Sequence, residues 1–334
     1  MKNKKAFEIQ FNWLFILIAG AAIILFFATI IIKQKNVSET SAKATVLKSI
    51  EAIITGASAS IDTTNIIPIT NSNIEIDCNR VSLGDVSKQY QNLILFAPSL
   101  VKGDRIITQT LPFNAPYRAT NFLYTTSPQL RYIIIGNNNL AKLVNKSLPS
   151  DLKKEFYESE PQIKNSNNYK IKFIIFGDMI EFPKELEKSQ DSDVTVVRID
   201  GNTESGTLEF YQKDGDSWEY KGTSIYIGKA SLLGAVYADT INIYECNMQN
   251  AFTRLKLATQ IYIGRTTKLM QNEANSNKEL QCNQFYNTAL TYLNRILGAS
   301  NNFNQENANS IVDSARELAN NNLDAQTHSC ALIY

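Results

Sequence analysis

The chain has 334 residues, with 33 Lys plus Arg against 32 Asp plus Glu and a formal net charge of +1. So even a balance excludes bulk electrostatic attraction to nucleic acid or to an acidic surface as the basis of function. A chain of this length has room for a folded body with real cores beyond any targeting segment.

Residues 1–10 read as a short cytoplasmic tail. The run FNWLFILIAGAAIILFFATIII, residues 11–32, carries no charge and is followed at once by Lys33 and Lys35. At about 1.5 Å per residue a helix of this length reaches roughly 33 Å, enough to cross a hydrocarbon core of about 30 Å. A secretory signal has a shorter apolar core, roughly 7–15 residues, and a small-residue cleavage site after it. This run ends in Ile-Ile-Ile-Lys, so it reads as a retained transmembrane helix in contact with membrane lipid. Lys2, Lys4 and Lys5 precede it, and Lys33, Lys35, Lys43 and Lys48 follow, so the count of basic residues does not choose an orientation. Long domains translocate largely regardless of charge, and a short tail before one span is the usual signal-anchor arrangement. The expected topology is therefore a cell-membrane, single-pass protein with its N-terminus cytoplasmic and its domain outside. The sequons Asn36-Val-Ser and Asn145-Lys-Ser, candidate glycosylation sites at Asn36 and Asn145, agree with that, as does the even number of cysteines.

Residues 33–60 read as an amphipathic stalk helix, with Val46, Leu47, Ile50, Ile53 and Ile54 on one face, packing onto the domain that follows. Residues 61–245 change to strand periodicity. NIEIDC, NLILF, RIITQT and FLYTT are each bounded by Pro, Gly, Asn or Ser. YIIIG then leads into a helical pattern at Leu140, Leu143 and Val144, followed by KFIIFG and VTVVRIDG. Strand, helix, strand and a further apolar strand predict an α/β fold with a central βαβ-type parallel layer covered on both faces. TLEFYQ and SWEYKG around Lys213-Asp-Gly-Asp add a β-hairpin, and ASLLGAVYAD reads as a short buried helix.

Residues 246–334 read as a helical bundle and tail. One helix over about 248–272 carries Phe252, Leu255, Ala258 and Ile261. A second carries Cys282, Phe285, Tyr286, Ala289, Leu290, Leu293, Ile296 and Leu297 and stops at Gly298; a third carries Ala308, Ile311, Val312, Ala315, Leu318 and Ala319. Short connections make neighbours antiparallel, giving a three-helix appendage on the α/β layer. That arrangement sets Cys330, past the third helix, beside Cys282 at the start of the second, and leaves Cys78 for Cys246. Four cysteines allow three pairings, and four reduced thiols in a cytoplasmic domain remain the competing reading.

Residues with catalytic chemistry are sparse. Parallel layers bind ligands beyond the carboxyl ends of their strands, which nominates Asn137, Asn138, Asp178 and Asp200 as ligand-binding candidates, beside Gly136, Gly177 and Gly201. The same residues are ordinary turn formers. No G-x-G-x-x-G and no G-x-x-x-x-G-K-[ST] occurs, and the single histidine, His328, lies near the chain end. No catalytic residue, metal site or cofactor is nominated, and no nucleic-acid partner.

The set FEIQFNWLFILIAGAAIILFF, RATNFLYTTSPQLRYIII and SLLGAVYADTINIYECNMQNAF, spanning nearly the whole chain, resembles a group of uncharacterised single-span membrane proteins of small-genome archaea. The resemblance implies an archaeal envelope setting and assigns no activity. The leading expectation is a membrane-anchored extracytoplasmic protein acting as a non-enzymatic binding or assembly module, with an envelope protein as partner. The alternatives are a membrane-tethered enzyme using the carboxyl edge of the α/β layer, tested at Asp178 and Asp200, and a cytoplasm-facing membrane scaffold.

Overall fold

The computed structural model describes residues 21, 25, 29, 33–34, 41, 43–52, 55–56, 60, 62–90, 93–163, 170–273 and 279–334. The tail 1–10, nearly all of the span 11–32, and Asn36 lie outside the described residues. Among those described, no helix is long and apolar enough to cross a membrane. The body is a mixed α/β structure.

The segment read as one α/β layer forms two six-stranded sheets. The first contains β1 (Thr64–Asp77), β2 (Arg80–Leu83), β3 (Val86–Gln89), β4 (Leu95–Phe96), β5 (Leu100–Asn114) and β6 (Arg118–Thr126), in the order β3-β2-β1-β5-β6-β4. Its hairpin connections, Cys78-Asn79, Gly84-Asp85 and Ala115-Pro116-Tyr117, are too short for parallel crossovers and dictate antiparallel pairing. Helix α1, residues 43–52, lies on one face and buries Leu47 and Ile50 among Ile74, Val81, Val101, Ile106 and Leu123. The Lys43–Asp85 contact of 2.6 Å and the Lys88–Glu51 pair flank it. The stalk residues described thus pack as their periodicity requires; Ile53 and Ile54 lie outside the described residues.

The second sheet contains β7 (Leu130–Ile135), β8 (Lys153–Tyr157), β9 (Lys170–Ile175), β10 (Val194–Gly201), β11 (Ser205–Asp214) and β12 (Ser217–Ile227), in the order β12-β11-β10-β9-β7-β8. β8, β7, β9 and β10 are parallel, with α2 (Asn139–Ser147) making the crossover from β7 to β8; β11 and β12 add an antiparallel hairpin. Every residue of β7 and β9 is buried. Their apolar ends follow from cover on both faces: Ile134 and Ile174 join the main core, while Ile133, Ile135, Phe173 and Ile175 join a second core under Met179, Ile180, Phe182 and Trp218.

Helix α3 (Gly228–Tyr237) is the wedge of the molecule. It touches β4, β5 and β6 of the first sheet and β12 of the second, and every residue from Ala230 to Tyr237 is buried. A helix covered all round needs no polar face. Tyr124 donates to the carbonyl of Ala230 at 2.7 Å and Tyr237 to Oε1 of Gln109 at 3.0 Å, so each buried hydroxyl is satisfied.

Helices α4 (Ile241–Glu273), α5 (Glu279–Ala299) and α6 (Gln305–Thr327) form the appendage, with α5 packing on both neighbours. α4 begins seven residues before the sequence periodicity places it, because Ile243, Tyr244 and Met248 are buried on the sheets. Cys246 therefore sits in its second turn. The cysteine pairs are Cys78–Cys246, with Cα atoms 5.9 Å apart, and Cys282–Cys330, at 5.6 Å. The chain then runs back across the bundle: Ile333 is buried, its N–H donates to Oδ1 of Asn322, and Tyr334 packs against Tyr117 and Tyr262.

Candidate functional site

The carboxyl edge of the parallel strands carries the residues nominated from sequence. β7 lies between β8 and β9, so the chain turns one way after β7 and the other way to reach β9, which makes the gap between their ends a switch point. Gly136 has φ +148° and lies so close to β9 that a Cβ on it would stand 2.7 Å from Cβ of Phe176. Asn138 caps α2, its Oδ1 accepting from the N–H of Ala141 at 2.8 Å, and Asn137 is exposed beside it.

Asp178 and Asp200 are exposed at two places on this edge. Asp178 follows Gly177, whose carbonyl accepts from Nε of Arg198 at 2.7 Å, and its charge acts on that guanidinium. The main partner of Arg198 is Glu209, at 2.8 Å, which also accepts from the Tyr211 hydroxyl; the Glu209 hydrogen bond holds Arg198 above its ordinary range. Asp200, next to last in β10, pairs with Thr207. The Tyr226 hydroxyl, which donates to the Asn202 carbonyl at 2.6 Å, is pushed well up by burial, with the charge of Asp200 adding to it. Asn138 is thus used in capping, Asp178 sits on the bend after β9, and Asp200 sits on the exposed end of β10. Asn145 lies within α2, half-buried, and the hydroxyl of Ser147 in the same sequon donates back to the Leu143 carbonyl at 2.7 Å. Among the described residues no group of three or more His, Cys, Asp or Glu side chains is placed to hold a metal ion, and His328 is exposed at the end of α6.

A buried polar cluster went unread in the sequence. Lys170 and Lys172 lie two apart on β9 and so share a face. Lys170 pairs with Asp239, which follows α3, and Asp239 also accepts from the N–H of Ser99 at 3.0 Å and its hydroxyl at 2.8 Å. Lys172 donates to the Ala238 carbonyl, with its ammonium 5.5 Å from the centre of the Phe210 ring. Burial pulls Lys172 down to about 7, the charge of Lys170 adding to this while Asp239 opposes it. Burial works to raise Asp239, but Lys170, Lys172 and Ser99 outweigh it and hold the carboxyl below the usual range. The cluster joins β9 to the loop before β5 and to the α3–α4 link, and so clamps the two sheets together. The signal for it was Lys-Ile-Lys opening an otherwise apolar strand.

Two open clefts lie elsewhere. One, of about 310 Å³, runs between β6 and α4; Ala119, Ala258 and Tyr262 line it, Arg118 and Arg254 flank it, and Leu257 and Ile261 project at its lip. Those last two side chains are 50% and 71% exposed. Among the described residues neither arginine has a carboxylate partner. The other cleft, of about 330 Å³, is walled by the Ala115-Pro116 turn, Ile227, and Ile311, Ala315 and Ala319 of α6, with the Glu204–Arg316 pair at its rim.

Compared with protein-family profiles, with curated proteins and with solved structures, the chain matches none.

Proposed function

We propose that the chain is a single-span, membrane-anchored extracytoplasmic protein whose folded body works by contact, as a non-enzymatic binding or assembly module of the cell envelope, in the archaeal setting that the sequence resemblance implies. The observation that carries this reading is the pairing of all four cysteines, Cys78 with Cys246 and Cys282 with Cys330. Disulfides persist on the oxidising side of a membrane and are rare in the cytosol. The uncharged run over 11–32 supplies the anchor. A contact role draws on two further features. The nominated carboxylates, Asp178 on a bend and Asp200 at the end of β10, are both exposed, whereas the exposed apolar side chains Leu257 and Ile261 gather beside a cleft.

The test is protease protection of intact cells combined with thiol labelling before and after reduction. The expected result is a body cleaved from outside, with no thiol labelled until reductant is added. A protected body whose four thiols react without reductant overturns the reading in favour of a cytoplasm-facing scaffold.

A further inference from the structure

The two clefts differ in charge, and each carries apolar side chains. Between Glu245 and Glu273, α4 carries Arg254, Lys256, Arg265 and Lys268 and no acidic residue. Lys256 and Arg265 bond to neutral oxygens, of Asn301 and Leu332, so none of this charge is cancelled there. Arg254, Leu257, Ile261 and Lys268 recur at helical spacing and form one stripe, with Arg118 of β6 beside it. The result is an apolar ridge flanked by cations.

The cleft on α6 has the opposite character. Its floor is apolar, and the exposed Leu323, 59% accessible, continues the Ala315–Ala319 stripe out of it. At its rim Arg316 meets Glu204 at 2.5 Å and Asp313 at 3.7 Å and feels Glu317 as well, so three carboxylates face one guanidinium. The surplus there is negative. A cleft of about 330 Å³ is at the small end of the range that takes compact apolar groups, and a pair of aliphatic side chains fits that description.

We propose that the occupant of the α6 cleft is the α4 ridge of a second copy of this chain, Leu257 and Ile261 entering the apolar floor while Arg118 and Arg254 meet Glu204 and Asp313. The inference rests on the contact reading above and names the partner. Ridge and cleft are distinct patches, on α4 and on α6, and both border the β5–β6 turn, so two copies can engage reciprocally about a twofold axis or one way, head to tail. Head-to-tail contacts build rings or open filaments. An anchored body of this kind would assemble in the plane of the membrane. The exposed Glu204–Arg316 pair is no obstacle, since a solvent-screened surface ion pair adds little.

The test uses the full chain in detergent micelles, with sedimentation velocity and chemical cross-linking across a concentration series at low and high salt. Self-association that weakens with salt is expected. R118E/R254E alone and E204K/D313K alone should each weaken it by roughly tenfold or more, and mixing the two variants should restore it, because each reversed surface then finds its opposite. L257S/I261S should weaken it without changing its salt dependence. Unchanged melting temperatures show that each variant is folded. A chain that stays monomeric at every concentration, or associates equally well in all variants, overturns the proposal. So does wild-type body that binds anionic phosphatidylglycerol vesicles through Arg118 and Arg254 and not itself. A monomer that still labels only after reduction and is cleaved from outside would sink self-assembly while leaving the extracytoplasmic reading intact.

Discussion

Lys170 on β9 and Asp239 after α3 form an ion pair whose side chains are 5% and 3% exposed, at the junction of the two sheets. Taking both charges out of water is costly, and the pair is held by the Ser99 hydrogen bonds that complete the carboxylate's shell. Removing one partner leaves the other buried and unpaired. Asp239→Asn should therefore destabilise the body by about 3–5 kcal/mol. The double variant Lys170→Met, Asp239→Leu should recover much of that loss, and urea unfolding of the three proteins measures both effects. A single variant as stable as the wild type would refute the clamp.

Lys172 makes stability depend on pH. In the native state its ammonium gives up its proton at about 7, and in the unfolded chain near the ordinary 10.5. Between those values the unfolded chain binds more protons, so stability rises with pH across that window, with a slope of at most about 1.4 kcal/mol per pH unit. Tyr117, Tyr124, Tyr226, Tyr237 and Tyr244 are all raised by burial above their ordinary 10.0, so the native state keeps protons that the unfolded chain loses, and stability falls again above that pH. At the acid end the contribution of Asp239, whose carboxyl is depressed, is lost as pH drops through its native value. Unfolding free energy measured against pH should show a maximum near the tyrosine range, and Lys172→Met should flatten the rise that precedes it.

The Cys282–Cys330 bond closes a loop of 48 residues and anchors the segment that carries Ile333 and Tyr334 back across the bundle. Cys282→Ser should liberate Cys330 and leave Cys78 unreactive, with a stability loss of about 2–4 kcal/mol. Mass spectrometry after alkylation of the unreduced protein identifies the free thiol. Release of Cys78 instead would mean a different pairing.

At Gly136 the backbone has φ +148° and a Cβ would press on both Phe176 and Ala141. Gly136→Ala combines an unfavourable backbone conformation with overpacking, and a loss of about 1–3 kcal/mol is expected in thermal or urea unfolding. Gly177 also has a positive φ, yet no atom lies within 4 Å of a Cβ there, so Gly177→Ala should lose only the conformational part.

Asp178→Asn and Asp200→Asn change exposed residues at the carboxyl edge, one on a bend and one at the end of β10. On the contact reading both should stay within about 0.5 kcal/mol of the parent in stability and leave self-association unchanged. A shared loss of binding in both variants would point back to the carboxyl edge as the working site.

Much of the secondary structure was legible because it is written in local pattern. The apolar runs Tyr132–Ile135 and Phe173–Ile175 announce strands covered on both sides, and the stripe from Cys282 to Leu297 announces α5. The favoured cysteine pairing was legible too, since antiparallel helices joined by short loops bring the start of α5 to the end of α6. The division into two sheets was not. Strand sequences give the face each side chain occupies but not which backbone edge it will meet, and α3, inserted between the sheets, is apolar on every side whichever sheet it serves.

By itself the sequence determined the apolar run at the front, the even charge balance, the helix and strand periods and the even cysteine count, because each depends on composition or on spacing along one segment. Tertiary structure alone decided that Lys170 would meet Asp239 across 69 residues. It alone decided, too, that Arg118 of a strand would join Arg254 of a helix around one cleft, and that Glu204 of a hairpin turn would rim another beside Arg316. Charge and apolarity become a surface only when distant segments are folded against one another, and no local period records which segments those will be.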